Sequence, residues 1–193
     1  MIDVTAAYEE TQRHLATLVL GLPEDEIGAT VPASPAWTVK DVVAHLTGLS
    51  ADVVAGRIPP ELNLMDAWWN PEQTALRDEM TAAQVEGRRG RSAPEVIDEW
   101  RENAAALLPM IRGERPFPKP WPFIGEILLT DAAVHAQDVR GTVGVPGDRE
   151  SAGVGIGLAG GPRSPIPDPR SLRPKGAPAA GPLRSLRTPP VLA

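Results

Sequence analysis

Four stretches of this chain place apolar side chains three and four residues apart, and glycines or prolines separate these stretches. They cover residues 3–22, 38–56, 92–113 and 122–140. Such spacing puts apolar side chains on one face of an α-helix, and that face must pack against other helices. No stretch shows the apolar–polar alternation of a half-buried strand. The sequence therefore predicts an all-α fold, most simply an up-and-down bundle of four main helices.

The predicted helices begin and end at residues that suit those positions. Thr38 and Ser92 each stand three residues before an acidic residue, which is the pattern of an N-terminal capping box. Pro71 suits the first turn of a further helix, which forms the extra segment of the bundle. Gly56 and Gly113 suit helix C-termini.

The chain changes character after Gly141. Residues 141–193 contain ten glycines and ten prolines and no aromatic residue. A weak helix is predicted near residues 149–160, and beyond it too little apolar surface is available to offset the ordering entropy. We therefore expect a helical domain over residues 1–147 and a largely disordered tail over residues 148–193. A second hypothesis for this tail, from its Arg/Pro/Gly composition, is a truncated or frame-shifted gene.

Composition excludes several classes of function. The net charge of -6 does not favour nucleic acid as a partner, because phosphate binding needs clustered Lys and Arg. The chain has no cysteine, which excludes disulfides, thiolate metal sites and a protein-borne thiol nucleophile. No apolar run approaches the roughly 20 residues of a membrane span, and the N-terminus lacks the features of a signal peptide. The sequence thus predicts a cytoplasmic protein with no membrane partner.

The last predicted helix carries ionisable side chains on its apolar face. Asp131, His135 and Asp138 lie at positions i, i+4 and i+7, so they share one side of the helix. Four apolar side chains project around them: Ile124, Ile127, Leu128 and Val134. Ionisable groups in a core-facing stripe are costly unless they are paired or bind metal. Asp131 and His135 can therefore bind one metal ion, the alternative being an ion pair on a solvated face. Asp138 is predicted to support His135 or to pair with Arg140.

Two ligands are too few for a stable metal site, and the chain offers two further histidines. His45 lies in the middle of the second predicted helix, at the edge of its apolar stripe, so it can point into the bundle. An ordinary buried histidine is the alternative interpretation of His45. His14 lies on the flank of the first helix beside polar residues and is expected at the surface. Helical geometry alone leaves both histidines open as the third ligand.

Two segments together resemble the mycothiol-dependent maleylpyruvate isomerase family, which belongs to the DinB-like four-helix-bundle superfamily. The segment Trp37–Leu46 resembles the signature of the family's second helix. The segment Asp131–Arg140 resembles the last bundle helix, with its acid-x-x-x-His-x-x-Asp pattern. Residues 144–147 resemble the short segment that follows that helix. The resemblance covers about residues 1–150 and implies a DinB-like bundle.

The resemblance also implies a ligand set and a cosubstrate. The family's metal ligands correspond to His45, Asp131 and His135, which excludes His14; the acid is Asp here where the best-known members have Glu. Two nitrogens and one oxygen suit Zn²⁺ with an open fourth position, and Ni²⁺, Co²⁺ or Mn²⁺ would also be accepted. The family's thiol is mycothiol.

These implications favour a mycothiol-dependent isomerase or thiol S-transferase that acts on a small electrophilic substrate. A metal-dependent hydrolase on the same ligands is one alternative. A non-enzymatic, metal-stabilised binding or regulatory bundle is another. The expected partners are thus a small-molecule thiol and a small substrate, and the expected assembly is a monomer or a homodimer. Members of the family usually continue into a further C-terminal part, where this chain has its glycine- and proline-rich tail.

Overall fold

The computed structural model describes residues 2–64, 66–67, 69–119, 121 and 123–158. Within these residues the chain forms seven helices and one two-stranded hairpin. In chain order they are α1 (Val4–Leu20), α2 (Glu24–Ile27), β1 (Thr30–Val31), β2 (Ser34–Thr38), α3 (Val39–Ala55), α4 (Pro71–Glu86), α5 (Ala93–Ile111), α6 (Ile124–Thr142) and α7 (Ala152–Leu158). The predicted all-α bundle is confirmed. No helix among the described residues combines the length and the apolar content that a bilayer span requires.

Capping residues determine where the long helices begin. The Asp41 N–H donates to the Thr38 hydroxyl, and the Asp41 carboxylate accepts from the Thr38 N–H, so the capping box of α3 is complete. Ser92 and Glu95 form the corresponding box of α5. Gly56 ends α3 in the left-handed conformation, with φ of 66°, which a glycine adopts without strain. The predicted helix starts at Thr38 and Ser92 are therefore correct.

The core of the bundle surrounds α3, which packs against α4, α5 and α6, while α1 packs against α5 and α6. Among the described residues, the largest fully buried side chain is that of Trp100 on α5. The Trp100 Nε1–H donates to the hydroxyl of Tyr8 on α1, at 3.1 Å. Because Tyr8 is buried as well, this bond satisfies two polar groups that would otherwise be costly inside the core.

The hairpin between α2 and α3 was not predicted from the sequence. β1 and β2 pair antiparallel, with Thr30 opposite Thr38 and Val31 opposite Ser34. A strand of two residues is too short to show alternation, and Pro35 argues against a strand unless it lies at an edge. The buried Val31 holds the hairpin against the bundle, and the end of β2 leads directly into α3.

Residues that follow α6 also pack on the bundle. Asp148 forms an ion pair with Arg140 of α6 and contacts the imidazole of His14 on α1. The weak helix predicted near residues 149–160 is present as α7, which packs on α6 and α1. Gly153 approaches so closely that an added Cβ would lie 2.9 Å from the Thr11 hydroxyl oxygen. The packed part of the chain therefore continues past residue 147.

The C-terminal part of the predicted tail, residues 159–193, lies outside the described residues. Both hypotheses for it, disorder and a frame-shifted gene, remain predictions. The end of α6 differs slightly from its predicted position at Gly141, because the helix continues to Thr142 before Gly144 adopts a left-handed conformation, with φ of 66°.

The buried phenol of Tyr8 makes the stability of the fold pH-dependent. Burial raises the pKa of Tyr8 to about 12, opposed by the hydrogen bond from Trp100 and aided by the negative charge of Asp131. A phenol with an unfolded pKa near 10 stabilises the fold fully below pH 10, and this stabilisation is lost as the pH rises through the folded pKa. We expect about 3 kcal/mol of the unfolding free energy to be lost over this interval.

Tyr8 is the only tyrosine of the chain, so an ultraviolet titration of phenolate reads this group alone. Urea unfolding of the wild type between pH 9 and 12 should show a decrease that is absent from the pH dependence of Tyr8→Phe. Tyr8→Phe also removes the hydrogen bond to Trp100, which lowers the unfolding free energy at every pH. The two proteins are therefore compared by how steeply the unfolding free energy changes with pH. A phenol that titrates near pH 10 in the folded protein would contradict the prediction.

Candidate metal centre

Helices α3 and α6 bring the three predicted ligands together. One ligand atom from each of His45, Asp131 and His135 lies within 4.8 Å of the others. The His45 Nε2 is 3.1 Å from the Asp131 Oδ2, and the His135 Nε2 is 3.8 Å from the Asp131 Oδ1. Neighbouring ligands around a tetrahedral ion with ordinary zinc bond lengths lie about 3.4 Å apart. The cluster therefore has the dimensions that a small divalent ion requires.

The site lies at the edge of the core rather than in its middle. His45 is buried, with 4% of its surface exposed, whereas Asp131 and His135 are half-buried. Val134, predicted on the same apolar stripe, is 48% exposed, so this part of the prediction is wrong. Ile124 and Leu128 of the predicted stripe are buried, and the buried face of α6 also includes Leu129, Ala132, Ala133 and Ala136. Asp131 and His135 lie at the margin of this face, so each is partly exposed to solvent.

Trp37, at the end of β2, lies against both imidazole rings. Its ring centroid is 5.1 Å from that of His45 and 6.0 Å from that of His135. The two imidazoles are themselves nearly perpendicular, with centroids 5.4 Å apart. Sequence reasoning did not assign Trp37 to the site, because its position depends on the hairpin. The indole thus forms an apolar wall beside the candidate ligands.

The second nitrogen of each imidazole has a partner of its own. The His45 Nδ1 is 2.8 Å from the Oε1 of Gln84 on α4, and the His135 Nδ1 is 3.2 Å from the Asp138 Oδ2. Metal-binding histidines nearly always donate their second N–H to such a group, which fixes the ring and its tautomer. Asp138 therefore contacts His135, as one of its two predicted roles required; Arg140 pairs with Asp148 instead.

Gln84 is the second site residue, after Trp37, that sequence reasoning missed. It lies on α4, whose predicted stretch had no clear apolar stripe from which to assign its register. Gln84 is nevertheless almost fully buried, with 4% of its surface exposed. A glutamine in a helix of mixed polarity is usually solvent-exposed, so the sequence alone contains no signal for its inward position.

The carboxylate and the two imidazoles of the cluster each stabilise the charged form of the other. Burial opposes ionisation of Asp131, but the charge of His45, its hydrogen bond and the charge of His135 hold the pKa of Asp131 below its ordinary value. Arg77 contributes in the same direction. Burial likewise opposes protonation of His135, but the hydrogen bond to Asp138 and the charge of Asp131 raise the pKa of His135 above its ordinary value. The carboxylate thus favours positive charge at the position where a cation would bind.

His14 is not part of this cluster. Its Nδ1 lies 3.1 Å from the Asp148 Oδ1, and its Nε2 lies 3.2 Å from a guanidinium nitrogen of Arg13. With 31% of its side chain exposed, His14 is half-buried rather than fully at the surface. The geometry therefore separates the two histidines that helical periodicity left open, and it brings only His45 to Asp131 and His135.

Models of known protein families were compared with the chain. Residues 8–140 match the family described as "Mycothiol maleylpyruvate isomerase N-terminal domain". The matched segment covers more than half of the chain and includes His45, Asp131 and His135. No curated protein and no solved structure was found to match the chain.

Proposed function

The chain belongs to the mycothiol maleylpyruvate isomerase N-terminal domain family, as the resemblance predicted, and on this basis we propose that it binds one catalytic divalent metal ion through His45, Asp131 and His135. One observation carries the proposal: three ligand atoms from two helices converge within 4.8 Å. Because Gln84 and Asp138 occupy both Nδ1 atoms, the two Nε2 atoms are the ones that face the carboxylate.

The donor set fits the proposed ion. Two imidazole nitrogens and one carboxylate oxygen match the ligands of catalytic zinc sites, which keep a further position open. Harder ions such as Mg²⁺ or Ca²⁺ prefer sites made entirely of oxygen atoms. We therefore propose Zn²⁺ as the resident ion, with Ni²⁺, Co²⁺ and Mn²⁺ as ions that the same donors accept.

We further propose that the protein is a mycothiol-dependent isomerase or thiol S-transferase. When bound, the metal would lower the pKa of a thiol and hold it as thiolate. The chain has no cysteine of its own, so a thiol nucleophile would come from a cosubstrate. A thiolate supplied in this way would add to an electrophilic carbon of a small substrate, breaking the π bond of a conjugated double bond and moving its electron pair onto the neighbouring atoms. Loss of the thiolate after bond rotation would restore the double bond and give the isomer, whereas uptake of the proton that the thiol released would give the S-conjugate.

The residues of the chain orient and shield this chemistry. Asp138 holds the His135 ring through Nδ1, and Gln84 does the same for His45. Trp37 covers one side of both rings and limits the access of water there. The partly exposed side of Asp131 and His135 leaves room for small molecules to approach.

Metal analysis of the purified protein tests the ligand assignment. We expect stoichiometric metal in the wild type and little metal in His45→Ala and His135→Ala, because two ligands do not make a stable site. His14→Ala is the matched control, since it removes the remaining histidine of the chain and should retain the metal. Stoichiometric metal in either site variant would contradict the assignment.

Thiol dependence tests the proposed activity. Mycothiol should bind to the metal-loaded wild type, and conversion of an electrophilic substrate should require both mycothiol and metal. Hydrolysis that proceeds without any thiol would support a metal-dependent hydrolase in its place. Metal retention without affinity for mycothiol would support a non-enzymatic bundle.

A further inference from the structure

Three residues of α3 face the same part of α4. His45, Gly48 and Asp52 lie at positions i, i+3 and i+7 of the helix, so they share one side of it. Gln84 of α4 lies against all three. A Cβ added at Gly48 would be 2.5 Å from the Gln84 Cβ, which is closer than two carbon atoms can approach. The missing side chain at Gly48 therefore creates the space into which Gln84 inserts.

The partners of Gln84 determine which way its amide points. The Arg57 Nε donates to the Asp52 Oδ1 at 2.9 Å, an ion pair in which Asp52 is a carboxylate and can only accept hydrogen bonds. The Gln84 Nε2 donates to the Asp52 Oδ2 at 2.7 Å. The Gln84 Oε1 then faces the His45 Nδ1 at 2.8 Å, and an amide oxygen can only accept.

This chain of hydrogen bonds determines where the proton of His45 lies. An accepting oxygen at Nδ1 requires a proton on Nδ1, which leaves Nε2 as the metal-ligating nitrogen. Asp131 acts in the opposite sense, because a carboxylate 3.1 Å from Nε2 favours a proton there, where it would block a metal. The contact with Gln84 thus favours the tautomer in which the His45 Nε2 carries no proton and can bind a metal ion.

We propose that Gln84 is a positioning residue that keeps the His45 Nδ1 protonated and its Nε2 directed at the metal. Asp52 sets the orientation of the Gln84 amide, and Gly48 provides the space for it. This inference rests on the metal site proposed above, but the proton on Nδ1 is a property of the metal-free protein as well. Replacing the partner of a metal-binding histidine usually weakens metal binding about 10- to 100-fold.

Ring ¹⁵N spectra of the metal-free protein test the hydrogen bond directly. The chain has three histidines, so the signals of His45 can be assigned from single variants. In the wild type we expect a protonated Nδ1 whose proton exchanges slowly with water. In Gln84→Leu that proton should exchange at least about tenfold faster, because its acceptor is gone. An unprotonated Nδ1 in the wild type, or unchanged exchange in Gln84→Leu, would overturn the inference.

Zinc affinity, measured by competition with a chelator, tests the consequence for the site. Gln84→Leu should bind zinc about 10- to 100-fold more weakly than the wild type. Gly48→Ala should also bind zinc more weakly, because it displaces Gln84. Gln73→Leu is the matched control, since Gln73 is a glutamine of the same helix that bonds to the Asn63 N–H instead. Its zinc affinity should equal that of the wild type.

A compensating pair separates positioning from a general packing role. Gln84→Glu alone places two carboxylates against each other and should weaken zinc binding. Combined with Asp52→Asn, it reverses the amide and the carboxylate but restores every hydrogen bond, so the double variant should recover most of the lost affinity. Failure of this recovery, or full affinity in Gln84→Leu, would overturn the inference while zinc loss in His45→Ala still supports the site. A wild type that binds no zinc would overturn the site itself. The ¹⁵N spectra would then still show whether Gln84 keeps the His45 Nδ1 protonated.

Discussion

Zinc is expected to stabilise the wild-type protein by several kcal/mol, and Asp131→Ala is expected to lose this stabilisation completely. A ligand that binds only the folded state adds about 2.7 kcal/mol to the unfolding free energy at a concentration 100 times its Kd. For a domain of this size that increase raises the Tm by about 5 to 10 °C. The Asp131 carboxylate contacts both imidazoles, at 3.1 and 3.8 Å, so its removal leaves the proposed site with two neutral donors and no negative charge.

Thermal unfolding with and without buffered free zinc measures this effect. Glu126→Ala is the matched control, because it removes an acidic residue of the same helix more than one turn before Asp131. Its zinc-induced increase in Tm should match that of the wild type. Asp131→Asn keeps the size of the side chain and should lose most of the increase, because the amide oxygen is a weaker ligand. An Asp131→Ala protein that zinc stabilises like the wild type would show that the carboxylate is not a ligand.

Much of the site was predictable because its main features are local in sequence. The spacing of Asp131 and His135 places both on one turn of a helix whatever the rest of the fold does. The helix starts at Thr38 and Ser92 were predictable for the same reason, since a capping box involves only four consecutive residues. His45 required more, because its distance from α6 depends on how two helices pack, and the family resemblance supplied that information.

The features that could not be predicted all depend on contacts between distant segments. Gln84 reaches His45 only because Gly48 has no side chain, and no periodicity in α4 reveals that fit. Trp37 reaches the imidazoles because a hairpin too short for a strand pattern carries it there. Val134 is exposed although Ile124 and Leu128 of the same predicted stripe are buried, because the exposed edge of α6 depends on how it packs against α1 and α3.

Trp100→Ala is expected to cause the largest loss of stability among substitutions outside the metal site. Trp100 is fully buried, and truncation of a buried large aromatic side chain costs about 3 to 5 kcal/mol. The loss includes the hydrogen bond to Tyr8, whose hydroxyl then lacks its buried donor. Because a domain has only about 5 to 15 kcal/mol of net stability, this loss is a large fraction of the unfolding free energy.

Urea unfolding separates packing from hydrogen bonding at this position. Trp100→Phe keeps most of the ring volume and removes the Nε1–H, so it should cost about 1 to 3 kcal/mol, less than Trp100→Ala. Trp69→Ala is the matched control, because Trp69 is 40% exposed and its truncation should cost less than about 1 kcal/mol. Each cost should appear as a lower urea midpoint with an unchanged m-value. If Trp100→Ala and Trp69→Ala lowered the unfolding free energy equally, Trp100 would not lie in the centre of the core.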